Sequence, residues 1–109
     1  MNKYLLLLLP LIALGGCDCS RNTKNIVADS DSHQVLTHVM VHSVAAMNAR
    51  QTKGATTYTD STGYFEAGFS ISGIATCPVL KITLTKDNYA TLRVAAPQMG
   101  DTLFMRRLN

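Results

Sequence analysis

The chain has no tryptophan, no internal repeat and no low-complexity tract, and its charge is thin: 16% of its 109 residues are Asp, Glu, Lys or Arg. Ten Lys and Arg against seven Asp and Glu leave a formal charge of +3. Apart from Arg106-Arg107 the basic residues are scattered, which argues against the concentrated basic surface that nucleic-acid binding requires. No apolar run reaches the ~20 residues of a membrane-spanning helix. No Ser-His-Asp or Cys-His arrangement stands at a recognisable spacing, so nucleophilic catalysis has no carrier. Asp60, Asp87 and Asp101 lie in turn-forming stretches, where Asp has a local hydrogen-bonding reason to be, and Glu66 sits alone. The sequence assigns no catalytic residue and no cofactor.

What is present begins at the N-terminus. Met1-Asn2-Lys3 carries one positive charge, and Tyr4–Leu14 is an apolar run with seven Leu and one Pro. That is the length of a secretory h-region. Leu14-Gly15-Gly16-Cys17 then places small residues directly before a cysteine. In this order, charge, apolar run, small residues and Cys resemble the bacterial lipobox over the first 17 residues. The resemblance implies cleavage after Gly16, a diacylglyceryl group on Cys17 and a third acyl chain on the new amino group. Two or three such chains hold a protein on a bilayer stably, where one chain is marginal. The alternative is an ordinary signal peptide with a coincidental Cys, but no other small-residue site follows the apolar run at once. Asp18 resembles the signal that retains lipoproteins in the inner membrane of enteric-type bacteria; the outer membrane is the other destination. In either case the folded part is expected to face the periplasm.

Three segments follow: 1–16 as signal peptide, 17–23 as a short polar tether and 24–109 as one small domain. A tether this short keeps the domain close to the bilayer. With Cys17 acylated, Cys19 and Cys77 remain. An oxidising compartment permits a disulfide between them, clipping tether to domain. Two free thiols, or a buried Cys77 acting as a small apolar residue, are the other readings.

Within the domain, Thr59-Asp60-Ser61-Thr62-Gly63-Tyr64-Phe65 joins two β-capable stretches. Asp60 can start the turn and Gly63 can supply positive φ without a Cβ clash, which predicts a hairpin. Asn25–Ala28 reads as a short strand and 29–34 as a turn. Val35–Val44 reads as the best strand, with Val39 and Val41 inward and His38, Met40 and His42 on the opposite face. Residues 45–54 read as a loop or as an extension of that strand. Later strands are predicted at 79–85, with Leu80, Ile82 and Leu84 on one face, at 89–94 and at 102–106. Turns separate them at Lys86-Asp87-Asn88 and at 96–101. Seven short strands predict an all-β, Ig-like or transthyretin-like sandwich.

Three stretches carry a further resemblance. They are Ile26–Asp29 with Val35–Val41, the Thr59–Phe65 turn, and Leu80–Leu84 followed by Asp87-Asn88-Tyr89. Together they resemble the carboxypeptidase regulatory-like domain, with its transthyretin-like, prealbumin-type sandwich, over roughly residues 24–107. The chain departs from that pattern at Ala28, where a Gly is usual, and at Asn88, where Gly is frequent and Asn tolerates left-handed geometry. The resemblance implies an accessory module rather than an enzyme. The related hydroxyisourate hydrolase ends in Tyr-Arg-Gly-Ser, whereas this chain ends Met105-Arg106-Arg107-Leu108-Asn109.

Imidazole and thioether on one face suit copper, so His38, Met40 and His42 are the metal candidates, with Met47, Met99 or His33 as further ligands. An ordinary sheet face with chance alternation is the competing reading. The function expected is a membrane-anchored, non-enzymatic envelope module for a protein or glycan partner. The alternatives are a periplasmic inhibitor or immunity lipoprotein directed against a hydrolase, and a copper-binding periplasmic protein.

Overall fold

The computed structural model describes residues 18–47, 50–72 and 77–108. They form seven β-strands: β1 (Asp18–Asp29), β2 (Met40–Met47), β3 (Arg50–Tyr58), β4 (Tyr64–Ser72), β5 (Val79–Thr85), β6 (Leu92–Ala95) and β7 (Thr102–Met105). The strands make two sheets, ordered β4-β1-β7 and β3-β2-β5-β6. β1 is antiparallel to β4 and parallel to β7, and every pairing in the second sheet is antiparallel. The two inner faces close on each other as an all-β sandwich.

Alternation builds the core. In β5, Leu80, Ile82 and Leu84 are buried while Lys81 and Thr85 are exposed. Val41 on the neighbouring strand β2 and Val39 just before it join them. Val27, Phe65 and Met105 face them from the first sheet, all with 2% exposure or less. Each fully buried side chain of this size contributes ~1.5–3 kcal/mol by leaving water.

The predicted hairpin turn is present. Asp60 Oδ1 accepts the N–H groups of Thr62 (2.9 Å) and Tyr64 (3.1 Å), and Gly63 has φ 76°. A Cβ on Gly63 would lie 2.8 Å from the Cβ of Val35 and 2.9 Å from the carbonyl oxygen of Val27, so the position requires glycine twice over.

Three expectations are corrected. Residues 18–23 are the first half of β1 rather than a tether, paired with β4 from Asp18↔Ser72 onward. Their inward positions are satisfied without large apolar side chains: Cys19 packs in the core and Thr23 donates to the Oδ1 of Asn25. Asn25 Nδ2 donates to the carbonyls of Gln98 and Asp101, at 2.8 and 2.9 Å. The predicted strand over 35–44 begins only at Met40, because His38 takes φ 57° and Val35 makes an isolated bridge to Ala28. Residues 45–47 extend β2, as one of the two readings had it, and 50–54 open β3. The strand predicted over 89–94 starts at Leu92. Tyr89 instead bridges Arg107, after Asn88 at φ 69°.

Candidate functional site

The predicted site residues fall at different places on the sandwich, and the strand register assigns each to an end. β1 starts beside the ends of β4 and β2 and beside the start of β5; this is the N-terminal end. The turns after β1, β3 and β5 lie at the other, distal end.

Cys17 lies outside the described residues. Cys19, the second residue of β1, is 5% exposed, so it belongs to the core rather than lying outside it. Its Cα stands 5.5 Å from that of Cys77, just before β5, within the span a disulfide bridges. The two side chains meet at the N-terminal end, across a sequence separation of 58.

The metal candidates do not come together. His38 sits in the loop before β2 with a left-handed backbone, so the alternation that put it beside Met40 and His42 does not hold there. Met40 and His42 do share the outer face of β2. His42 Nδ1 stands 3.2 Å from the Oγ1 of Thr56 on β3. His33 packs its ring against Phe104, with centroids 5.3 Å apart. Met99 lies on the loop over the other sheet, and the Met47 side chain lies outside the described residues. Among the described residues, no three His, Cys, Asp or Glu side chains gather at metal-binding distance.

The distal end holds a polar cluster that the sequence reading missed. Asp29 Oδ1 accepts the N–H groups of Asp31 (2.8 Å) and Ser32 (3.0 Å). The Tyr89 hydroxyl donates to Asp29 Oδ2 at 2.7 Å, and Arg107 donates to the same hydroxyl at 3.3 Å. Arg107 Nε also stands 3.7 Å from Asp29 Oδ2, and its guanidinium lies over the Tyr89 ring. The Ser32 amide first, then the Tyr89 hydroxyl and the Asp31 amide, hold the Asp29 carboxyl down from 3.8 to about 2. The Tyr89 hydroxyl, together with Asp29, raises the pKa of Arg107. The cluster ties the C-terminal segment to the turn after β1, a structural lock rather than a reacting site. Asp29-Ser30-Asp31-Ser32 was legible as a turn; its distant partners Tyr89 and Arg107 were not.

Asp60 is likewise held below the usual carboxylate range, first by the Thr62 hydroxyl, and its bonds all serve the turn. Glu66 is not alone: it accepts from the Tyr64 hydroxyl at 2.7 Å and stands 3.5 Å from Lys24 Nζ, and the Tyr64 bond chiefly lowers its pKa. Asp101 offers its backbone carbonyl to Asn25. The bonds of Asp60 stay within the hairpin turn, and those of Glu66 join neighbours on β4 and across to β1.

The outer face of the β3-β2-β5-β6 sheet is a shallow groove lined by His42, Lys81, Thr83 and Arg93. These residues alternate with the core residues of their strands. Lys81 between Leu80 and Ile82 is the signal that could have placed it there.

No protein-family description matches the chain, and no curated protein matches it. Among solved structures, the chain is similar to the C-terminal domain of the shaft pilin spaA from Lactobacillus rhamnosus GG. The TM-score is 0.50 at 12% sequence identity, over 81% of this chain and 98% of that domain. At that identity the likeness speaks for the fold alone, and the fold it supports is the two-sheet, seven-stranded sandwich described above.

Proposed function

We propose that the chain is an envelope lipoprotein, held on the membrane by acyl chains on Cys17. Its transthyretin-like sandwich, of the carboxypeptidase regulatory-like kind, then binds a protein or glycan partner of the envelope without catalysing a reaction. The observation that carries this reading is the lipobox-like Leu14-Gly15-Gly16-Cys17, which runs directly into a folded strand at Asp18. Because β1 begins one residue after Cys17, the sandwich is seated on the bilayer rather than hung from a tether. We further propose that Cys19 and Cys77 form a disulfide in the oxidising periplasm, fixing β1 to the start of β5 beside the anchor. With Asp18 next to Cys17, the inner membrane is the proposed site.

Replacing the acylated side chain tests the reading. Cys17→Ser is expected to leave an unprocessed precursor or to release the protein from the membrane fraction. A variant that fractionates and migrates like the parent would reject the lipoprotein reading. Cross-linking in intact envelopes followed by purification is expected to recover a discrete partner through the distal end, which this anchoring leaves facing outward.

A further inference from the structure

We propose that the N-terminal end of the sandwich, tilted onto the outer face of the β3-β2-β5-β6 sheet, docks on the phosphate headgroups of an anionic bilayer. This inference rests on the anchoring at Cys17 proposed above, and adds to it a second, electrostatic contact with a stated orientation.

The face is built for anions. Thr83 of β5 stands in register with His42 of β2 on one side and Arg93 of β6 on the other. Lys81 follows two residues nearer the N-terminal end, opposite Val44 and Ala95. His42, Lys81 and Arg93 are all exposed. Among the described residues no carboxylate occupies an outward position on this sheet. The ion pairs described, Lys24–Glu66 and Arg107–Asp29, both lie elsewhere.

The charge is also partitioned along the whole sandwich. Arg21, Arg50, Lys53 and Lys81 occupy strand positions in the N-terminal half, where the sole acidic residue among the described residues is Asp18. The distal half carries Asp29, Asp31, Asp60, Glu66, Asp87 and Asp101 against five Lys and Arg (Lys24, Lys86, Arg93, Arg106 and Arg107). The domain is therefore a dipole whose positive end is the end that leads to Cys17. Arg21 extends the basic surface around the sandwich edge, lining a gap with Val79 and Pro97.

The shape selects the occupant. The groove is shallow and opens along the sheet, so it offers a small anion no enclosure, whereas a bilayer presents a plane of phosphates to a broad face. Each Lys or Arg brought close to an anionic bilayer strengthens association by about fivefold at physiological salt. Lipid chains on Cys17 would make that contact intramolecular, so its effect is orientation rather than recruitment.

Amine footprinting of the full-length protein, purified from membranes and reconstituted in vesicles, tests this. A water-soluble acylating reagent is applied in phosphatidylcholine vesicles and in phosphatidylcholine with ~30% phosphatidylglycerol, and labelling is read by peptide mass spectrometry. Labelling of Lys81 is expected to fall at least about threefold on the anionic vesicles, with Lys24 unchanged, and to recover with Arg93→Glu or at high salt. Equal labelling of Lys81 on both vesicles, or a fall at Lys24 as large as that at Lys81, would overturn the proposal. Retention on the neutral vesicles reads the anchor separately. Protein that leaves the neutral vesicles but still shows Lys81 protected on the anionic ones rejects the Cys17 reading and upholds the docking face.

Discussion

The two ends of the sandwich are held by different physics. At the distal end, side chains bond the backbone of neighbouring turns. Asp29 caps the turn after β1, Asp60 closes the β3–β4 hairpin, and the Lys86 ammonium donates to the carbonyl of Thr37 at 2.7 Å. Buried Thr59 there accepts the N–H of Val39 at 3.0 Å and donates to the carbonyl of Leu36 at 2.8 Å. At the N-terminal end such bonds are few among the described residues, the charge is mainly positive, and Cys19 meets Cys77. The contrast suits the proposed anchoring, in which the distal end keeps its loops in one shape while the N-terminal end would be fixed by covalent links and by the surface on which it would rest.

Perturbations that act on one end sharpen the contrast. The largest expected effect is Cys77→Ser. In the chain-entropy model a bond closing a separation of 58 residues is worth about 4 kcal/mol. The loss should appear in denaturant midpoints as a difference from the parent that reductant abolishes. Gly63→Val is next, at about 3 kcal/mol, because the new side chain meets both a left-handed backbone and the rigid atoms of Val27 and Val35. Thr59→Val keeps the shape but leaves a buried N–H and a buried carbonyl unpaired, at about 2 kcal/mol. Thermal unfolding reads both, and each should act whether or not reductant is present. If reductant removed their effects, the two ends would not be separate.

Acid gives the smallest and most selective effect. The Asp29 carboxyl is held near 2 in the folded state against the usual 3.8. A carboxyl lowered in this way stabilises the fold fully above about pH 4, and that contribution is lost as pH falls through about 2. Asp29→Asn should therefore be less stable than the parent at neutral pH, with the gap closing between about pH 4 and pH 2 in urea titrations. A gap that stayed constant over that window would mean that the Ser32 and Tyr89 bonds do not favour the charged form.

How legible each region was in the sequence follows from how local its determinants are. The Thr59–Phe65 hairpin and the inward face of β5 were readable, since a turn and a two-residue alternation lie within a few neighbours. The start of β1 was not: Thr23 is a core position that looks like tether, because it bonds Asn25, whose other partners, Gln98 and Asp101, are more than seventy residues away from it. His38 looked like strand by alternation, yet its φ of 57° rotates it out of line, an effect imposed by its bond to Thr59. The basic outer face was overlooked for a similar reason. Scattered Lys and Arg become a patch only once β2, β5 and β6 are side by side.

The mass of the N-terminal peptide of the mature protein, released by protease from purified membranes, tests the anchoring most directly. The account predicts a peptide that begins at Cys17 and carries a diacylglyceryl group and an amide-linked acyl chain. An unmodified Cys17 within a longer peptide, or a peptide beginning beyond it, would contradict that prediction.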